Sequence, residues 1–195
     1  MNLRPRPPLL ALVLLMALPA ASYDYPLSPE AIRDAYFLGT RQTSLGADFL
    51  AQYSHAIPEL KVGRFRSNVA IETPFSQIAL HASKTLGYSA QDALKEFHDK
   101  PTLVRLHLEL CYKIAAPENA VKIKVIQNKK EIFPESYDSS AYYPATNKHT
   151  QVSSIGEKVV MEFEPNRIES STLLIVIDTP DGQHAETAFD MGTLR

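Results

Sequence analysis

Any chemistry in this chain must come from scattered groups: six histidines, His55, His81, His98, His107, His149 and His184, and one cysteine, Cys111. None belongs to a ligand motif. H-E-x-x-H, C-x-x-C and a close His-x-His pair are all missing, so a zinc site would have to gather ligands from distant segments. The best local pair is His107 with Glu109. On one face of a strand their backbones lie about 6.5 to 7 Å apart, close enough to share a ligand. One reading is therefore a small metal-assisted hydrolase using that pair and a His from elsewhere.

The competing reading makes Arg105, His107, Glu109 and Lys113 the wet side of a half-exposed strand. Lys122 and Lys124 of the next strand would then face Glu109 as cross-strand charge pairs. If those side chains line a groove, its mixed charge suits a polar peptide or sugar better than a nucleic acid.

Cys111 shares that polar face, but His107 lies four residues away, about 13 Å along a strand, and a nucleophilic thiol needs a base within hydrogen-bond reach. Cys111 reads as a small, partly buried spacer, with an intermolecular disulfide open to it after export. No G-x-S-x-G elbow occurs, and neither G-x-G-x-x-G nor G-x-x-x-x-G-K-[ST] is present, so no catalytic residue is assigned and no cofactor or metal is expected. Glu162 and Glu164 alternate with Met161 and Phe163 as on a solvated strand, not as glycosidase carboxylates in a cleft. Nine tyrosines are the more telling excess. On a loop between strands, Tyr137, Tyr142 and Tyr143 would offer a rigid, amphipathic contact surface.

The elements that must position these groups follow a leader. Arg4 and Arg6, the charge-free run Leu9 to Leu18, and Pro19-Ala20-Ala21-Ser22 have the layout of a secretory signal over residues 1–22. Cleavage is expected before Tyr23, or alternatively after Ala20. The apolar run is short for a membrane anchor, which needs about 20 residues, and no Cys follows it to carry a lipid. The chain is expected to be soluble and secreted or periplasmic. Of its 20 basic residues two leave with the leader, so 18 face 22 acidic ones, a formal charge of −4 in place of −2. That balance argues against a generic nucleic-acid binder, and 45% hydrophobic with 22% charged residues excludes a disordered tail or a multi-span membrane protein.

Residues 23–60 read as a helical hairpin. The first helix starts at Ser28-Pro29-Glu30 and stops at Gly39, and the second runs from about Ser44 to Ser54. Residues 61–99 read as a strand, Phe65 to Ile71, followed by two short helices: one carries Phe75, Ile78, Ala79 and Ala82, and the other is capped by Ser89. From residue 100 to 195 the chain reads as strands. Val104, Leu106, Leu108, Leu110, Tyr112 and Ile114 alternate with polar partners over a long strand that requires an opposing layer.

Further strands are expected at Ala120 to Gln127, Glu131 to Phe133 and Lys158 to Glu164, and Thr172 to Asp178 should pair with Gln183 to Phe189 through Thr179-Pro180-Asp181-Gly182. Ser140 to His149 is either a further strand or part of a long surface loop. The expected fold is α+β: an antiparallel β-sandwich of immunoglobulin-like or fibronectin-like type, with short N-terminal helices packed on it and residues 61–195 open to being one domain. The expected function is a noncatalytic binding or interaction module for a protein, peptide or envelope component, with Arg105, His107, Glu109 and the three tyrosines as its surface. Alternatives are the hydrolase and a structural subunit assembling through its edge strands. Were the protein monomeric, Pro134 and Lys129-Lys130 would instead act as edge protection.

Overall fold

The computed structural model describes residues 23, 25–41, 49, 51–63, 65–98, 102–113, 120–142 and 155–195, with the backbone alone for Tyr142 and Ile155. The leader, most of the second hairpin helix, Ile114 and Tyr143 lie outside the described residues. Helix α1 spans Pro29–Thr40. Ser28 caps it by accepting from the Ala31 amide, and Pro29 fills a position whose N–H has no helical partner. α1 ends one residue beyond the expected stop at Gly39. The glycine is required there because a Cβ on it would collide with the backbone carbonyl of Ala79.

Where the second helix was expected to run to about Ser54, strand β1 begins (Ser54–Val62) and pairs with β2 (Phe65–Glu72). Pro58 hides β1 in the sequence, and it is tolerated because β1 is an edge strand with a register shift between Ile57 and Lys61. β2 passes directly into α2 (Pro74–Lys84), which Thr73 caps through the Ser76 amide. A Ser89–Asp92 capping box opens α3 (Ala90–Phe97). Ile32, Ala35, Phe75, Ile78 and Ala93 form the small core of this helical layer.

Strand β3 (Val104–Tyr112) has the expected alternation, with Val104, Leu106, Leu108, Leu110 and Tyr112 all buried. It lies between β2 and β7 (Ile155–Phe163), and β6 (Ser136–Tyr142) completes a five-stranded antiparallel sheet in the order β1-β2-β3-β7-β6. The sheet thus draws two strands from before residue 100. The second sheet has the order β5-β4-β8-β9, from β4 (Lys122–Gln127), β5 (Lys130–Ile132), β8 (Thr172–Asp178) and β9 (His184–Asp190). Asn128 and Lys129, at φ 50° and 65°, make the two-residue turn between β4 and β5, and Gly182, at φ 81°, closes the β8–β9 hairpin. The inner faces of both sheets share one core, in which Leu108 and Val159 from the first join Ile175 and Phe189 from the second.

Because β4 joins the second sheet, Lys122 and Lys124 do not face Glu109. The cation opposite Glu109 is Lys158 of β7, at 2.7 Å. Tyr137 and Tyr142 belong to strand β6, not to a loop. No helix among the described residues is long and apolar enough to cross a membrane.

Candidate functional site

Cross-strand rows of side chains run over the outer face of the five-stranded sheet. The end row runs Glu72, Arg105, Glu162 and Ser136 across β2, β3, β7 and β6. Arg105 Nε donates to Glu162 Oε1 at 2.9 Å, and Ser136 Oγ donates to Glu162 Oε2 at 2.9 Å. Those two bonds hold the Glu162 carboxyl below the ordinary carboxylate value. His107, one row in, brings Nε2 to 3.4 Å from Glu72 Oε2 without an aligned hydrogen bond. Its proximity, opposed by burial and helped by Arg105 and Lys84, holds the Glu72 carboxyl low.

The β2–α2 junction sets the helical layer against this end row. Since no loop separates strand from helix, Gln77 in the first turns of α2 reaches back to both neighbouring strands. Its Nε2 donates to the carbonyls of Glu72 (3.2 Å) and Leu103 (2.7 Å). The result is a groove of about 690 Å³ whose sheet side is Glu72, Arg105 and Glu162 and whose helical side carries Leu80, His81, Lys84, Glu96 and Phe97. Its size is that of small-ligand sites. The His81 ring packs edge-on to Tyr88 at 4.5 Å, and the Tyr88 hydroxyl donates to Glu96 Oε2 at 2.8 Å. That bond adds to burial in raising the Tyr88 phenol above its ordinary value.

Hydrogen-bond accounting separates the charges in the groove. Of the acids, Glu162 accepts from Arg105 and Ser136 and Glu96 accepts from Tyr88, while Glu72 has His107 at 3.4 Å without a hydrogen bond. The cations are less engaged. Arg105 uses Nε alone, leaving its terminal nitrogens, and Lys84 has no ion pair among the described residues. The groove is mixed in formal charge, with donors left on Lys84 and the terminal nitrogens of Arg105 beside acceptor positions left on Glu72 and Glu96.

Of the residues singled out from sequence, Arg105 lines the groove, and His107 stands behind it through Glu72. Glu109 lies one row further on, bound to Lys158, so His107 and Glu109 are turned to different partners. Among the described residues no group of three or more His, Cys, Asp and Glu side chains is placed to hold a metal. Cys111 is buried more completely than a polar-face spacer would be, its amide donates to Ser67 Oγ at 2.8 Å, and burial pushes the thiol up, the opposite of what a nucleophile needs. Tyr137 packs against the main core from β6.

Sequence reasoning missed Glu72, Lys84, Glu96 and Glu162 as groove residues, and His81 as well. One signal was readable: Gln77, Leu80, His81 and Lys84 follow i, i+3, i+4, i+7 spacing, a second stripe on α2 beside the one that fills the helical core.

No family model matches the chain, and no match is found among curated proteins or solved structures. What the geometry itself defines is a protein of mixed helices and two antiparallel sheets, with a polar groove between the helical layer and the outer face of one sheet.

Proposed function

We propose that this chain is an exported binding module whose groove takes an acid-bearing peptide segment. The observation that carries this reading is a pair of cations across the groove: Lys84 of α2, without an ion pair among the described residues, and Arg105 of β3, whose Nε is held by Glu162 while its terminal nitrogens point no hydrogen bond at the chain's described groups. A carboxylate on the ligand supplies the missing acceptor, and a guanidinium already oriented by Glu162 loses little freedom in binding it. Leu80, Leu103 and Phe97 in the same groove suit an apolar side chain next to that acid, which favours a peptide over a sugar.

Export is supported by the signal-like composition of residues 1–22. The strand order supports an immunoglobulin-type sandwich. With β2, β3, β6 and β7 taken as A, B, D and E, and β4, β5, β8 and β9 as C, C′, F and G, the sheets read ABED and C′CFG, with β1 added beside A.

The test is a nuclear magnetic resonance titration of the purified chain with two short peptides of equal length, one pairing Glu with Leu and one pairing Lys with Leu. The Glu peptide is expected to shift the amides of α2 and of the Arg105 end of β3. Lys84→Ala and Arg105→Ala should each weaken it about tenfold, the size of a charge-assisted hydrogen bond. Equal response to the Lys peptide, or shifts that map away from α2 and β3, would sink the proposal.

A further inference from the structure

Gln77 lines the groove although only 9% of it is exposed. Its main-chain N–H donates to the Thr73 carbonyl at 2.9 Å, and the two hydrogens of Nε2 go to the carbonyls of Glu72 and Leu103. Those carbonyl oxygens can only accept, so they fix which end of the side-chain amide is nitrogen. Oε1 is what Gln77 has left to offer. It accepts no hydrogen bond from the described residues, yet it is not sealed off with the buried unpartnered atoms, so solvent still reaches it. The groove is the space onto which Gln77 opens.

The same two bonds set Gln77 beside Arg105. Glu72 is the cross-strand partner of Arg105, and Leu103 lies two residues before Arg105 in the chain. The amide is pinned to main chain on both strands of that pair, so a neutral acceptor stands close to the root of the guanidinium. A side chain already held by two bonds loses little freedom in accepting one more. Once a ligand excludes water from the groove, an unmet Oε1 would bear the desolvation cost of an unsatisfied carbonyl. Glu72 also has an acceptor position left, but its side chain is half-buried and more open to water.

We infer that Gln77 Oε1 accepts a main-chain N–H of the bound peptide beside its acidic residue, so that the groove reads its ligand as an amide as well as an acid. This rests on the acid-bearing peptide reading above and makes Gln77 a specificity-determining residue of the same site.

The probe is the peptide pairing Glu with Leu, in which each main-chain N–H in turn is replaced by an ester oxygen. That exchange removes one donor and keeps the planar, extended shape of the chain. The ester at the acidic residue or at one of its two neighbours is expected to weaken binding about tenfold, as an unmet buried acceptor does, and the other esters by no more than about twofold. In Gln77→Ala the amide peptide binds more weakly, and the penalty of that one ester falls to about twofold or less. A purely structural loss would weaken amide and ester alike and leave the penalty unchanged. If Gln77→Ala fails to fold, the unaltered chain decides: the Gln77 Cδ resonance, which reports hydrogen bonding at Oε1, is expected to move with the amide peptide and to stay near its free position with the ester. No ester costing more than about twofold, a penalty that persists in Gln77→Ala, or a Cδ resonance that does not distinguish amide from ester overturns the inference and leaves the acid-bearing peptide in the groove. A Glu peptide that shifts nothing in α2 or β3 shows instead that the groove reading has failed, and this inference fails with it.

Discussion

At the scale of single residues, Tyr137 carries the most exposed cost. Its ring packs against the core, but its hydroxyl is buried with no hydrogen-bond partner among the described residues. Burial, aided by the nearby Glu157 carboxylate, pushes the phenol up to about 12. A group whose ionisation is harder in the folded than in the unfolded chain contributes stability that is complete below its unfolded value, near 10, and is lost as pH rises through its folded value. Tyr137→Phe keeps the ring and removes the orphaned hydroxyl. It is expected to be neutral or to stabilise by about 1 kcal/mol at pH 7, and to flatten part of the fall in stability between about pH 10 and 12. Urea melts at the two pH values check both halves. A loss above about 1 kcal/mol at pH 7 would mean that the hydroxyl is doing bonding work.

Among secondary-structure elements, the helical layer depends on a close approach. Gly39 of α1 faces the Ala79 carbonyl of α2 across a gap that admits no Cβ. Gly39→Ala is expected to cost about 1 to 3 kcal/mol, as an overpacked contact does, although alanine is the better helix former. A thermal melt unchanged by the substitution would show that the helices can separate freely. The same position marks what sequence reveals about elements and what it does not. Ser28 and Ser89 announce their helices because a cap is a local bond, and β3 and the β8–β9 hairpin are readable because alternation and Pro-Asp-Gly are local patterns. Gly39 looked like a stop signal because the backbone it must clear lies forty residues away. β1 was lost to Pro58, which local rules read as a break and an edge strand accepts. The groove was legible only as Arg105, since its other residues come from β2, α2, α3 and β7, and no pattern within a single segment says that those segments meet.

Over the whole molecule, the helical layer and the paired sheets have separate cores, and few residues tie them together. Phe49 packs on both, and Arg195 spans the junction. The Arg195 carbonyl accepts from the Tyr53 and Thr73 hydroxyls, and its guanidinium lies 4.5 Å from the centre of the Phe75 ring and 3.6 Å from Asp34 Oδ2. Arg195→Ala keeps the carbonyl and removes both guanidinium contacts, each worth at most about 1 kcal/mol at such exposed positions. With separate cores, the loss should fall on the helical layer alone. Amide hydrogen exchange in α1 and α2 is expected to quicken about fivefold, while β3 and β7 keep their protection. Equal quickening in both would mean that the two cores open as one unit. The affinity of the groove for the proposed acid-bearing peptide provides an independent check. The groove requires α2 and α3 over the Glu72–Arg105–Glu162 row, so binding weakens only in proportion to the fraction of molecules in which the helical layer is open. If that fraction stays small, Arg195→Ala changes exchange but not affinity, and a parallel fall in affinity would reveal a helical layer that is already open much of the time.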